Sequence, residues 1–297
     1  MKILIIGSKG FIGSHCSKYF AIHNEVWECD VVVDYVATNY LQLDATNADF
    51  SEIFQTQQFD VCINCSGAAS VPDSLVHPFR DFTLNTINVY KILEAIRRFN
   101  PHCKFLNLSS AAVYGNPQEL PIKEDHPLNP VSPYGCHKKQ AETICREFYE
   151  FYGIKSCSLR IFSAYGNGLK KQLLWDLAQK MKNASAIELF GTGNESRDFI
   201  NVFDLVKQIE LVIDKAAFDA TAINAANGSE ISIKRIAEIF IEKLKWEGTL
   251  KFAGSSRKGD PINWVADIDV LRGFGYQQQI KIEKGIEEYL SWVQENA

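Results

Sequence analysis

Short apolar runs alternate with helix-length amphipathic stretches through the first half of the chain. The runs at 2–6, 25–29, 41–43, 61–65, 104–108 and 156–160 are brief, rich in Val, Ile, Leu, Phe and Cys, and read as strands. Between them, 11–20, 79–99 and 134–152 carry apolar residues at three- and four-residue spacing and read as helices. Strand, helix, strand in repeated order is the signature of a parallel sheet covered on both faces, so the fold class is α/β, doubly wound. From about Ser163 the alternation weakens, with helices at 170–182 and 233–245 separated by Gly, Asn and Ser turns. The segments 197–202 and 222–225 read as short strands that return to the main sheet. Residues 1–163 therefore form the sheet domain, with 199–224 returning to it, and 164–297 form mainly a smaller, discontinuous lobe. A cleft between the two is the default ligand site.

The first strand runs into Gly7-Ser8-Lys9-Gly10-Phe11-Ile12-Gly13, which opens a helix. That is the setting of a Rossmann-type dinucleotide turn, where glycines let the backbone approach a pyrophosphate and the helix N-terminus offers unbonded N–H groups. Asp30 closes the second strand, where a carboxylate accepts from both ribose hydroxyls and repels a 2′-phosphate, so NAD is expected over NADP. Asp34 is a rival for that task and reads better as a loop carboxylate. Asp44, after the third strand, is placed to hold the adenine amino group. Asp30 and Asp44 are too close in sequence for a full crossover helix, so the adenosine side should be trimmed.

Composition narrows the partners. A formal charge of -5 over 297 residues, with the basic pairs scattered, argues against a nucleic-acid or anionic-membrane surface. Met1 leads straight into a strand and no apolar run reaches the roughly 18 residues of a membrane helix, so a cytoplasmic protein is expected. The eight Cys show no regular framework and most sit in apolar elements, as reduced core thiols would. Cys62-Ile63-Asn64-Cys65 matches C-x-x-C, but within a strand its two ends face opposite ways, and no metal site is expected.

The reacting groups are read from Ser132-Pro133-Tyr134-Gly135-Cys136-His137-Lys138. Tyr134 and Lys138, four apart on a helix, share one face. A tyrosine is a poor base at pH 7 because its ordinary pKa is about 10; lowering it by roughly 3 units takes about 4 kcal/mol of preferential phenolate stabilisation. A lysine cation, an oxidised nicotinamide and the Ser110 hydroxyl can supply it together. His137, on another side of the helix, is expected to face solvent, and Glu124, Asp125 and His126 to anchor a loop.

With these residues in place, the chain resembles the extended short-chain dehydrogenase/reductase family, and within it the NAD-dependent nucleotide-sugar epimerases and dehydratases, closest to UDP-glucose 4-epimerase-like members. The Gly7-x-x-Gly10-x-x-Gly13 turn, Leu108-Ser109-Ser110-Ala111-Ala112-Val113-Tyr114-Gly115, Tyr134-x-x-x-Lys138 and Arg197-Asp198-Phe199-Ile200-Asn201-Val202 occur in the family's order. The resemblance implies Tyr134 as base and acid, Lys138 lowering its pKa and holding the nicotinamide ribose, and Ser110 bonding the reacting sugar oxygen. It also implies Phe11, Ile12, Ser66, Gly67 and Asn85 at the cofactor. Arg197 and Arg257 are implied at a nucleotide diphosphate, a task suited to guanidinium forks. Trp264 falls where 4-epimerases vary the bulk of the sugar pocket. Ser163 and Asn167 depart from the family's usual Asn and Pro, at a position that contacts substrate. A homodimer through 79–99 and 134–152 is implied as well.

The residues after Ser110 select among reactions. In 4,6-dehydratases these positions carry an Asp-Glu pair that eliminates water; here they are Ala111 and Ala112. Ala112 also replaces the Cys of C3/C5 epimerising members. A nucleotide-sugar 4-epimerase working through a transient 4-keto sugar needs neither. A 4-keto-sugar reductase uses the same residues and stays open as the alternative, as does, from another class, an NAD-sensing regulator without turnover.

Overall fold

The computed structural model describes residues 1–45, 47–255 and 262–296. β1 (Lys2–Ile6) leads through the glycine turn into α1 (Phe11–Phe20), followed by β2 (Glu25–Asp30) and the short β3 (Tyr40–Gln42). α2 (Ser51–Thr56) and β4 (Val61–Asn64) precede two short helices, α3 (Val71–Val76) and α4 (Pro78–Phe82), and a π-helical turn (Thr83–Ile87) that runs into α5 (Asn88–Phe99). β5 (Lys104–Ser110), α6 (Pro133–Tyr152) and β6 (Ser156–Ile161) complete the pattern read from the sequence. Most boundaries agree within two residues; the stretch 79–99 is helical throughout but changes pitch at the π turn.

Seven strands form one sheet in the order β10-β6-β5-β4-β1-β2-β3, with β10 at Asp219–Ala225, and every neighbouring pair is parallel. The doubly wound reading holds. Strand alternation divides the core: Ile3, Ile5, Val61, Ile63, Leu106 and Leu108 pack on one face, whereas Leu4, Ile6, Cys62 and Phe105 pack on the other. Cys62 and Cys65 accordingly meet different clusters. All eight cysteines are free thiols and six are buried.

The loop joining β2 to β3 contains no helix, which is the trimming expected between Asp30 and Asp44. Beyond β6 come β7 (Ser163–Tyr165), α7 (Gln172–Asn183), β8 (Ala186–Leu189), β9 (Ser196–Asn201) and α8 (Val202–Lys215). After β10 follow β11 (Glu230–Ser232), α9 (Ile233–Leu244), β12 (Thr249–Phe252), α10 (Asp269–Gly273) and α11 (Ile282–Asn296). One strand expectation is corrected here. The segment at 197–202 does not return to the main sheet: β9 is the centre of a three-stranded sheet, parallel to β7 and antiparallel to β11. The segment at 222–225 does return, as β10 beside β6. A third core of Leu174, Leu177, Phe199, Ile236, Phe240 and Tyr289 lies under α7, α9 and α11.

Candidate active site

The carboxyl ends of β1, β2, β4 and β5 open on one edge of the sheet, the crevice where doubly wound folds bind ligands. α1 begins there with Gly10 as its N-cap, no side-chain cap and no acidic residue in its first turn, so Phe11, Ile12 and Gly13 start a helix whose end suits an anion. Gly13 is required by packing, since a Cβ on it would stand 2.1 Å from the Gly7 carbonyl oxygen.

Asp30 is tied into this turn. Its Oδ2 accepts from the Lys9 backbone N–H (2.9 Å), and its Oδ1 accepts from Val31 (2.7 Å) and Val32 (3.3 Å). Lys9 was not singled out from the sequence, yet its ammonium reaches Asp34 (2.7 Å) and Glu28 (2.9 Å) and lies 4.7 Å from the Tyr40 ring centre. Lys9 holds the Asp34 carboxyl down to about 2, and Asp34 is thereby the loop carboxylate anticipated for it. A basic residue inside the glycine turn was the available signal. Asp44 is exposed and accepts from the Asn47 N–H (3.3 Å).

At the end of β4 the Ser66 hydroxyl donates to Asn64 Oδ1 (2.5 Å). Asn85 stands in the π turn, where an irregular pitch re-aims side chains. Its Nδ2 donates to the Ala68 carbonyl (3.1 Å), while its Oδ1 is buried without a partner. Gly67 keeps this spot open, because a Cβ there would come within 2.4 Å of Asn85 Oδ1 and 3.5 Å of Lys138 Nζ. An unbonded helix end, a side-chain-free wall at Gly67 and an orphaned buried amide oxygen fit an elongated polar cofactor.

α6 is fixed at its start by the Ser132 hydroxyl, which accepts from the Gly135 N–H (3.1 Å), and by Pro133 in the first turn. Ser74 Oγ of α3 accepts from the Tyr134 N–H (3.2 Å). Tyr134, partly buried, shares a side-chain hydrogen bond with Ser110. Desolvation pushes its phenol up to about 12; the Ser110 bond opposes that, and the negative charge of Asp81 adds to it. Lys138 is buried and donates to the Leu108 carbonyl (2.9 Å). Burial pushes its ammonium down to about 8.

His137 departs from expectation. It does not face solvent: its Nδ1 lies 2.5 Å from Asp81 Oδ1, and its ring stands edge-on to Phe82. The loop carrying Glu124 and His126 is anchored as read, with Glu124 Oε1 accepting from the Asn224 N–H (3.1 Å) and the Gln118 N–H pointing at His126 Nε2 (3.3 Å).

On the substrate side, Ala111 and Ala112 are buried in a 3₁₀ turn directly after Ser110. Arg197 Nη1 donates to the Ser196 (2.7 Å) and Ile262 (3.0 Å) carbonyls, and its guanidinium lies 5.7 Å from the Trp264 ring centre. Trp264 is 9% exposed, donates from Nε1 to the Gly115 carbonyl (2.9 Å) and packs edge-on to Phe162. Ser163 opens β7 and is partly buried. Arg257 lies outside the described residues. Among the described residues no group of His, Cys, Asp and Glu is placed to hold a metal ion, and no helix is long and apolar enough to cross a membrane.

A glycine turn on the first strand and a Tyr-Lys helix face meeting Ser110 are joined by a sequence match. Residues 3–226 match the NAD dependent epimerase/dehydratase family. The chain belongs to that family. It is 29% identical over 326 aligned residues to the UDP-glucose 4-epimerase of Streptococcus mutans, with 98% of this chain and 96% of that one covered. It is 27% identical over 310 residues to a putative UDP-glucose 4-epimerase of Methanocaldococcus jannaschii, with 99% of each covered. The solved UDP-N-acetylglucosamine 4-epimerase of Methanobrevibacter ruminantium M1, in complex with UDP-N-acetylmuramic acid, superposes with a TM-score of 0.89 at 26% identity, covering 100% of this chain and 99% of that one. Epimerase/dehydratase enzymes of this family use NAD, and the cofactor reading from Asp30 agrees with the match.

Proposed function

We propose that this epimerase/dehydratase family member is an NAD-dependent UDP-sugar 4-epimerase. The observation that carries the reading is the pairing of Tyr134 with Ser110 at a wall whose next two residues, Ala111 and Ala112, have no acid or base to offer. One proton is handled at one carbon, C4.

Tyr134 takes the proton of the C4 hydroxyl while the Ser110 hydroxyl donates to the same oxygen, and the proton is returned when the 4-keto sugar is reduced on its other face. NAD, when bound, supplies the hydride acceptor and donor for C4 and a positive charge beside the phenol that lowers its pKa. The glycine turn, with Phe11, Ile12, Asp30 and Asp44, would hold its adenosine and pyrophosphate. Ser66, Gly67, Asn85 and Lys138 would hold the nicotinamide end. Arg197, with Arg257, would pair with the UDP diphosphate, Ser163 would line the sugar's path, and Trp264 would set the pocket's depth.

The test is turnover of a panel of UDP-hexoses by purified protein, followed by NMR, with the bound dinucleotide identified. C4 epimers should interconvert without net cofactor consumption. Stoichiometric oxidation of added NADH with a 4-keto sugar would replace this reading with the reductase. In heavy water, deuterium at C5 of the product would sink a mechanism confined to C4.

A homodimer goes with this reading, formed through α4, the π turn, α5 and α6. These elements pack side by side and expose Phe79 (81%), Tyr90 (43%), Phe151 (75%) and Tyr152 (49%), apolar side chains that a second copy could cover. Light scattering at micromolar protein should give twice the chain mass, and Phe151→Asp should shift it toward the monomer. A concentration-independent monomer in the wild type overturns the dimer.

A further inference from the structure

α6 turns two sets of ionisable groups in different directions. Tyr134, Lys138 and Glu142 follow one another at four-residue spacing, while His137 points toward α4 and the π turn. There it meets Asp81, a carboxylate 1% exposed. Asp81 Oδ1 is 2.5 Å from His137 Nδ1, and its Oδ2 is buried with no hydrogen-bond partner.

Two other carboxylates on the neighbouring elements are already matched. Asp73 of α3 pairs with Arg80 of α4 at the surface (3.0 Å), and Glu142, further along α6, pairs with Arg160 (2.8 Å). His77, between α3 and α4, accepts the Asp81 N–H at its carbonyl (3.0 Å). Thr86 Oγ1 donates to the His137 carbonyl (3.0 Å), and Phe82 covers the ring. Among the described residues, His137 is the side chain that reaches the Asp81 carboxylate within hydrogen-bond distance, and the His137 side chain keeps 13% exposure. Tyr134 and Lys138 lie within the reach of the Asp81 charge.

We propose that Asp81 and His137 are a positioning pair whose protonation state governs how readily Tyr134 gives up its proton. The proposal rests on the reading of Tyr134 as the base. With an imidazolium at His137 the pair is neutral, and a phenolate forms without opposition. With a neutral imidazole the ring still bonds Oδ1, but the pair carries one buried negative charge near the site of the phenolate and disfavours it. A neutral pair thus favours turnover, and the base must have lost its own proton. These opposed requirements give a bell-shaped profile with coupled limbs.

The experiment compares NAD-loaded wild type, Asp81→Asn, His137→Gln, the double variant and Tyr134→Phe. Two readouts are used: the pH profile of UDP-glucose turnover, and an ultraviolet difference titration of the Tyr134 phenol referenced to Tyr134→Phe. Asp81→Asn should lower the tyrosine's apparent pKa by about half a pH unit or more, and His137→Gln should raise it by a similar amount. Once Asp81 has been removed, His137→Gln should no longer raise it. A structural role alone would lower activity in each variant without moving the titration in opposite directions. If Asp81→Asn does not fold, the upward shift in His137→Gln carries the test. The pairing is overturned if Tyr134→Phe is inactive and His137→Gln leaves the titration within 0.2 unit of wild type, or if both single variants shift it the same way. A Tyr134→Phe that turns over normally would overturn the base assignment instead.

Discussion

Tyr134→Phe is expected to reduce UDP-sugar turnover by about 10²–10⁴-fold, the usual contribution of a positioned acid/base group, while leaving the fold and NAD binding in place. The exchange deletes one hydroxyl. The bonds that seat the residue are made by backbone: the Tyr134 N–H donates to Ser74 Oγ, and the helix start is capped by Ser132. Lys138 keeps its bond to the Leu108 carbonyl, and Ser110 still accepts the Ala112 N–H (3.2 Å). On the acid limb of the profile, wild-type activity should rise with pH as the phenol ionises. Burial outweighs the Ser110 hydroxyl and leaves that phenol at about 12, so the cofactor's charge must bring it down before the residue can act near neutrality. Measured by NMR turnover and by dinucleotide released on denaturation, the variant should hold as much NAD as wild type. Activity within threefold of wild type would remove Tyr134 from its role.

The main sheet was legible because buried parallel strands announce themselves as uninterrupted apolar runs, and 2–6, 61–65 and 104–108 are such runs. β9 was not, because Arg197-Asp198-Phe199-Ile200-Asn201-Val202 has the same apolar centre whichever sheet it joins. What directs it is long-range. Asp198 is buried and accepts backbone N–H groups of Asn227 (2.9 Å), Gly228 (2.9 Å) and Ala266 (3.1 Å), contacts between segments far apart in sequence. The same limit applied in the site. Tyr134 and Lys138 were readable by spacing on one helix, but the Asp81 partner of His137 comes from another helix, 56 residues earlier. Lys9 likewise meets Glu28 and Asp34 only once β1 and β2 are paired.

Removing Arg160 should be the most damaging single change to stability, about 3–5 kcal/mol, because it strands a nearly buried carboxylate. The Arg160 and Glu142 side chains are 6% and 10% exposed. Nε and Nη2 of Arg160 donate to Glu142 (3.1 and 2.8 Å), and Nη1 donates to the Tyr114 hydroxyl (2.9 Å) and the Glu124 carbonyl (2.7 Å). Burial alone would lower the guanidinium's pKa, but the Glu142 bonds and charge outweigh it and hold it above its ordinary value. Around this pair, Ser109 Oγ donates to Glu142 (2.5 Å), and the Tyr114 hydroxyl donates to Asn224 of β10 (2.6 Å). The guanidinium therefore joins β6, the end of β5 that carries Ser110, and α6 that carries Tyr134. Arg160→Met should lower the thermal midpoint by roughly 5–10 °C, and Glu142→Leu should do similar harm by stranding the cation. Arg160→Met combined with Glu142→Leu should recover much of the loss, because no unpaired ion remains. The Tyr114 hydroxyl and the Glu124 carbonyl still lose a donor, which keeps the double variant about 1–3 kcal/mol below wild type. Single variants within about 1 kcal/mol of wild type in urea unfolding would show that the pair is spared the cost of burial by solvent.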